Sequence, residues 1–206
     1  MTATPAPAPG RPRDAGIDAC VLDAALAELA AKGYAGFSLA SVAAAAGTTR
    51  PAVYRRWKDR DALVIDAIAH LADVAPPPVT GDPFTDLVAE LEHFRHCITT
   101  AAALPLAGLM LAEGLEPAIR AQYHDRVVTP RRTRLRAILG AAVAGGAIRA
   151  SADLEVAGTF LTGSWYAFAL GGAAPPDDWA RRVAVLVWRA CGGGPPDQPT
   201  GTAPSA

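Results

Sequence analysis

The sequence predicts an all-α protein, and three observations carry that expectation. Apolar residues make up 51% of the 206 residues, and much of that share is alanine, the strongest helix former. Clusters of β-branched residues alternating with period two, the mark of a half-buried strand, are scarce. Prolines and glycines fall between segments whose apolar residues recur at three- and four-residue spacing, where they start and stop helices. The formal net charge is −1, so the molecule as a whole is no polycation, and any affinity for a polyanion has to come from local patches. The three cysteines, Cys20, Cys97 and Cys191, are far apart and odd in number; they form no disulfide framework and suit a reducing cytoplasm.

In order, residues 1–13 read as a disordered arm. Proline and alanine without bulky apolar groups bury too little surface to order a chain, and the segment lacks the apolar run of a secretory signal. Arg11 and Arg13 are read as solvated tail charges rather than phosphate contacts. A first helix runs from Asp14 to Ala31 on an apolar stripe of Ile17, Val21, Leu22, Ala25, Leu26 and Leu29, and Lys32-Gly33 ends it. Ser38 is positioned to cap a short helix with Leu39, Val42, Ala43 and Ala46 on one face, and Gly47 turns the chain. Thr49 caps the next helix, which runs to Trp57, with Pro51 in its first turn where a missing N–H breaks no intrahelical bond. Asp59 caps a further helix from Arg60 to about Ala72.

The stretch from Ala75 to Gly81, with three consecutive prolines, is the clearest boundary. Beyond it, Asp82-Pro83 opens a helix to about Ala102. Leu104 to Gly114 forms a short apolar helix, and Glu116-Pro117 opens a longer one towards Gly145-Gly146. Ser151 or Asp153 starts another, to about Leu170. Pro175-Pro176-Asp177-Asp178 leads into the last, which carries Trp179, Val183, Leu186, Val187 and Cys191. Val156 to Pro176 carries no charge and is long enough to cross a bilayer, but its glycines and hydroxyls and few large aliphatics favour a buried helix. The expected division is therefore an arm (1–13), a first domain (14–73), a second helical domain (82–192) and a disordered tail (193–206).

The most informative stretch is Phe37 to Leu63. Two short helices surround a glycine-containing turn. Val53 and Trp57 share one face of the second and are assigned to core, while Thr49 to Lys58 holds four basic side chains and no acidic one. That is a helix-turn-helix, whose second helix enters a DNA major groove. The run Lys32-Gly33-Tyr34, Phe37-Ser38-Leu39, Val42-Ala43, Ala46-Gly47-Thr48-Thr49-Arg50-Pro51-Ala52-Val53-Tyr54-Arg55-Arg56-Trp57, Arg60-Asp61-Ala62-Leu63 resembles the N-terminal domain of the TetR/AcrR family of bacterial transcriptional regulators. The match covers residues 14–70, about a third of the chain. Trp57, Lys58, Arg60 and Pro51 stand where the family commonly has Phe, Pro, Lys and Gly. The resemblance implies an all-α fold, with an N-terminal three-helix DNA-binding domain and a C-terminal helical domain that takes a small molecule and dimerises, commonly through its last two long helices.

On that basis Arg50, Pro51, Ala52 and Tyr54 are expected to face the groove: arginine bonds guanine bidentately, and alanine meets a thymine methyl. Ser38, Tyr54, Arg56 and Arg60 are expected on phosphates, which position without reading sequence, and Thr49 and Arg55 complete the DNA-binding surface.

In the second domain, nine apolar or aromatic residues are candidates to line a ligand pocket. They are Phe94 and Ile98, Leu106 and Met110, Tyr123 and Val127, and Leu161, Trp165 and Phe168. Arg126, Arg131, Arg132, Arg134 and Arg136 form a second basic run that could bind an anionic ligand or extra DNA, but such a run is more often the exposed face of a long helix, and it is read so. His93, His96 and Cys97, with His124 as a further ligand, have the spacing of a metal site, but two histidines on a polar helix face are the commoner case, and neither a metal nor a cofactor is expected. Cys97 lacks the surroundings of a redox thiol. No nucleophile–base pair or glycine-rich phosphate loop is present. The sequence thus points to a cytoplasmic homodimeric repressor, not an enzyme, that binds a double-stranded operator and is released by a largely apolar effector, with no membrane partner. An effector-independent DNA-binding dimer is the alternative, followed by an α-helical enzyme or carrier.

Overall fold

The computed structural model describes residues 15–100, 102–111, 113 and 115–194. The expected arm (1–13), residues 195–206 of the expected tail, Asp14 and Gly114 lie outside them. Every regular element among the described residues is helical.

Helix α1 (Ala15–Gly36) is interrupted at Gly33, whose φ of 65° only glycine adopts without strain, so the backbone breaks at the expected end and one more helical turn follows. Helices α2 (Leu39–Ala45) and α3 (Arg50–Tyr54) flank the turn at Gly47, φ 64°. Ser38 occupies the N-cap position of α2 with extended backbone, but its side chain makes no capping bond, so the expected cap does not form. Thr49 does cap α3, its hydroxyl accepting from the Ala52 amide at 3.3 Å. Helix α3 is shorter than expected and ends at Tyr54; Arg55 to Trp57 continue as a turn, with the Trp57 amide still donating to the Val53 carbonyl at 2.9 Å. Asp59 caps α4 (Arg60–Ala72) by accepting from the Ala62 amide at 2.8 Å.

One core unites these helices. Val21, Ala25 and Leu29 of α1, Val42 of α2, Val53 of α3 and Leu63, Val64 and Ile68 of α4 are all but sealed from solvent. Each large side chain buried this way contributes about 1.5–3 kcal/mol. Leu106 and Ile119, from beyond the proline linker, complete the same core. The two halves of the chain are therefore packed together, not merely tethered.

The linker ends on a buried carboxylate. Asp86 accepts from the Thr80 amide at 2.8 Å, the Thr80 hydroxyl at 2.6 Å and the Gly81 amide at 3.3 Å. Asp82 caps α5 (Pro83–Ile98) through the Thr85 amide. That helix stops short of the expected Ala102. The Thr99 and Thr100 hydroxyls donate to the carbonyls of Arg95, His96 and Cys97, offering the backbone an alternative to the next helical turn. Helix α6 (Ala103–Leu109) is also shorter than expected. Helix α7 (Pro117–Tyr123), a π-helical turn (His124–Val128) and α8 (Thr129–Ala144) form one continuous path, the long helix expected from Pro117. Pro130 accounts for the wide turn: its ring would collide with the carbonyl of Arg126 in a regular helix, and it has no N–H to give. Asp153, not Ser151, caps α9 (Leu154–Leu170), accepting from the Glu155 and Val156 amides. Helix α10 (Trp179–Ala190) closes the described fold.

The second core lies between α5, α8, α9 and α10, around Leu87, Leu91, Leu139 and Leu161. Its centre is aromatic: Trp165 meets Trp179 edge-on at 5.0 Å, and Phe94 lies 6.1 Å from Trp165 and 5.8 Å from Trp179. No helix among the described residues is long and apolar enough to cross a membrane.

Candidate nucleic-acid interface and internal cavity

Helix α3 is fixed from below. Val53 and Trp57 are buried as assigned, and the Trp57 indole N–H donates to Asp66 of α4 at 2.9 Å, locking the ring. With that side anchored, Arg50, Pro51, Tyr54 and Arg55 are exposed, and Ala52 is half-buried. The Arg50 guanidinium sits 5.4 Å from the centre of the Tyr54 ring and donates to its hydroxyl at 3.3 Å, so the two form one unit on the free face. Ser38 is exposed at the start of α2.

Arg60 leans over the Tyr34 ring, 4.2 Å from its centre, while the Tyr34 hydroxyl bonds Asp61. Burial first, and the Asp61 carboxylate second, hold the Tyr34 phenol above its ordinary range, so it stays a donor. Arg60 is thereby presented at the positive end of α4, where a phosphate is favoured. Arg56 behaves differently. It pairs with Asp18 of α1 and donates to the Ala52 carbonyl at 3.4 Å, so of the two arginines expected on phosphates, Arg56 is turned inward and Arg60 is not. The reason lies in its register: Arg56 follows the end of α3 and faces α1 rather than the free surface.

A cavity of about 670 Å³ lies between α6, the α7–α8 path and α9. Of the nine candidate residues, Phe94, Met110, Tyr123 and Val127 line it. Ile98 instead lines a smaller space of about 60 Å³ next to it, which reaches Leu71 and Ala72 at the end of α4. The other four expected residues line neither. Leu106 is spent in the N-terminal core, Leu161 and Trp165 fill the aromatic core, and Phe168 is on the exposed side of α9. Apolar spacing identifies helix faces but does not say which face meets a void.

Two polar residues of the lining, Arg131 and Tyr166, were not among the residues expected to line it, and Arg131 entered the sequence reading only within the basic run. A signal for Arg131 was present: Tyr123, Val127 and Arg131 repeat every four residues along one helical path. Arg131 belonged to the run read as an exposed face, yet its Nε is buried without a hydrogen-bond partner, and its guanidinium lies 4.9 Å from the centre of the Phe94 ring. Arg134 of the same run is bonded to the buried Glu90.

His93 Nε2 and Cys97 Sγ are 3.7 Å apart. Burial depresses the histidine and raises the thiol, so both are neutral near pH 7. No group of three or more side chains able to hold a metal occurs among the described residues.

On the far side of the second domain, Phe160 of α9 and Leu186 of α10 are 64% and 69% exposed, with Val156 half-exposed beside them. A Cβ added at Gly158 or Gly163 of α9 would meet nothing within 4 Å, leaving room for a helix to come close.

The comparisons bear on both halves. The family described as "Bacterial regulatory proteins, tetR family" matches residues 21–76, and the "Tetracyclin repressor-like, C-terminal domain" matches residues 77–187. The chain belongs to the TetR family of transcriptional regulators. A DNA-binding transcriptional repressor TetR of Mycobacteroides abscessus is 32% identical over 169 residues, which span 78% of this chain and 85% of that protein. An uncharacterized HTH-type transcriptional regulator of Bacillus subtilis, YdeS, is 26% identical over 182 residues, 87% of this chain and 92% of its own. In fold, the chain is similar to a TetR transcriptional regulator from Agrobacterium tumefaciens, with a TM-score of 0.64 at 20% identity, over 84% of this chain and 93% of that one. This TetR-family chain is accordingly a DNA-binding regulator and not an enzyme. Regulators of the family bind DNA operators and form dimers whose C-terminal domains take effectors.

Proposed function

We propose that this regulator is a cytoplasmic homodimeric repressor, released from a near-palindromic operator when a small, largely apolar effector enters the 670 Å³ cavity. In this reading residues 14–73 form the DNA-binding unit and 82–192 the effector-binding and dimerisation unit. Two copies of α3 enter successive major grooves about 34 Å apart. Arg50, Pro51 and Ala52 read bases, and Ser38, Thr49, Tyr54, Arg55 and Arg60 hold phosphates. Arg56 is left out, because Asp18 already holds it. The exposed apolar face around Phe160 and Leu186 is the surface a second copy would cover.

One observation carries the coupling. The π-helical turn His124–Val128 gives Val127 and Val128 to the cavity and also packs on α4, the helix that leads out of the DNA-binding unit. An effector that fits the cavity better when this turn has moved would move α4 with it, and it biases the two states only by that difference in affinity. The relative from Mycobacteroides abscessus, named a repressor, favours repression over activation.

The test is a mobility-shift titration on the DNA flanking the chain's own gene. A dimer is expected to bind at low ionic strength and to lose affinity steeply with salt. Binding by a monomer, or none at low salt, would overturn the reading.

A further inference from the structure

The geometry points to an amphipathic organic acid as the effector: its carboxylate binds Arg131 between Tyr123 and Tyr166, and its hydrocarbon part lies against α6. This rests on the reading of the 670 Å³ cavity as the effector site.

The charge balance is the first argument. Among the described residues, three arginines, Arg120, Arg131 and Arg132, and His124 line the cavity, and no aspartate or glutamate does. The smaller space beside it, which shares Arg131, has no carboxylate in its walls either. Glu90, the acidic residue within this core, already gives one oxygen to Arg134 Nε at 2.9 Å and the other to Arg134 Nη2 at 2.8 Å. Arg120 is also engaged, donating to the Met110 carbonyl. Arg131 remains. Among the described residues it has no carboxylate within ion-pair distance, its Nε is buried without a hydrogen-bond partner, and what it meets is the Phe94 ring face and the Cys97 thiol, neither of them an anion near pH 7. A guanidinium cannot shed its charge, so this site is costly until an anion completes it.

The second argument is the pair of phenols. Tyr123 and Tyr166 both border Arg131, and the two rings belong to opposite walls, α7 and α9. Burial is the main reason both hydroxyls titrate above their ordinary range, and for Tyr123 the neighbouring Tyr166 adds to it. Neither can act as counter-ion to Arg131, and both are available as neutral donors. Two O–H groups and a guanidinium converging on one place are an acceptor site, and charge-assisted bonds to a carboxylate are the strongest they can make.

The third argument excludes simpler anions. Leu104 and Ala107 of α6, Met110 just after it and Leu135 of α8 make much of the remaining wall apolar, and such a surface gains nothing from a bare hydrated ion. A neutral apolar molecule would leave Arg131 as it is, and a cation would be repelled by it. The volume falls within the usual range for drug-sized ligands, about 300–1,000 Å³. The head group would also sit against the output: Arg131 and Tyr123 wall the small space that reaches Leu71 and Ala72 at the end of α4.

Calorimetric titration of the full-length protein with decanoate and with its neutral isostere decanamide tests this. Decanoate is expected to bind at least about tenfold more tightly. Arg131→Met, which keeps an apolar stem against Phe94, is expected to abolish that preference and leave the decanamide affinity within about twofold. Equal affinity for the two probes, or a preference that survives in Arg131→Met, would overturn the acid assignment while leaving the cavity as an effector site. If neither probe binds, the effector-site reading falls and the assignment with it. Should Arg131→Met fail to fold, Tyr166→Phe removes only a hydroxyl; it is expected to weaken decanoate about three- to tenfold and spare decanamide, and an unchanged decanoate affinity there counts against the assignment.

Discussion

Arg134 of α8 grips Glu90 of α5 through two parallel hydrogen bonds, and Glu90 is only 1% exposed. The pair ties the two helices that frame the second core. Removing the arginine would strand a carboxylate in an apolar interior. Arg134→Ala is expected to cost about 2–3 kcal/mol in urea denaturation, below the usual cost of breaking a fully buried pair because Arg134 itself is partly solvated. Arg134→Lys is expected to recover only part of it, since a point charge does not reproduce the planar fork.

Arg56 and Arg60 are close in sequence and differ in work. Arg56→Ala loses the contact with Asp18 that ties the end of α3 to α1, so it is expected to lower stability by about 1–2 kcal/mol and leave the salt dependence of DNA binding unchanged. Arg60→Ala is expected to do the reverse: near-native stability, weaker binding to every sequence alike, and a salt slope shallower by about one. Melting curves and mobility shifts at several salt concentrations separate the two.

Arg50 is the side chain on α3 best placed to read a base. Arg50→Ala is expected to relax preference at one operator position by about 1–3 kcal/mol, with other positions unaffected. Binding to a library of single-base operator variants measures it, and a uniform loss across the library would reassign Arg50 to the backbone.

Asp86 sets a pH dependence whose sign is fixed. Burial alone would raise its carboxyl, but bonds from the Thr80 hydroxyl, the Thr80 amide and the Gly81 amide outweigh that and hold it below the ordinary value. A carboxyl depressed in the folded state stabilises above its unfolded value of about 4, and that contribution is lost as pH falls through the folded value. Asp86→Asn is therefore expected to be less stable than the parent by about 1–3 kcal/mol near pH 7, with the gap closing below about pH 4. A gap that widens on acidification would contradict this.

Phe160 and Leu186 test the dimer. Phe160→Glu puts a charge in the middle of the exposed apolar face and is expected to yield monomers in sedimentation, with operator binding weakened more than about a hundredfold, because half-sites must then be bound one at a time.

Helix starts were legible in the sequence because they are local. Thr49, Asp59, Asp82 and Asp153 each accept from amides two or three residues ahead, as their residue type suggests, although Ser38, of an equally suitable type, makes no such bond. Helix ends were less so: Thr99 and Thr100 end α5 by bonds to carbonyls that sequence spacing does not reveal. On α3, the division between buried Val53 and Trp57 and exposed Arg50 and Tyr54 follows from four-residue spacing. Arg56 escaped because its partner, Asp18, is 38 positions away along the chain. The cavity was the least legible. Trp165 and Leu161 have the chemistry of a ligand wall but are consumed by packing with Trp179, and only the third dimension separates a lining residue from a filling one.

The anchored end of the proline linker constrains how the halves can move. Pro76 to Pro78 make a stiff strut, and Asp86 clamps its far end to the first turn of α5. A stiff connection on that side favours a swing of α4 about the strut over a lengthwise slide. The π-helical turn packs on that same helix, so the strut, the turn and Arg60 are joined through α4.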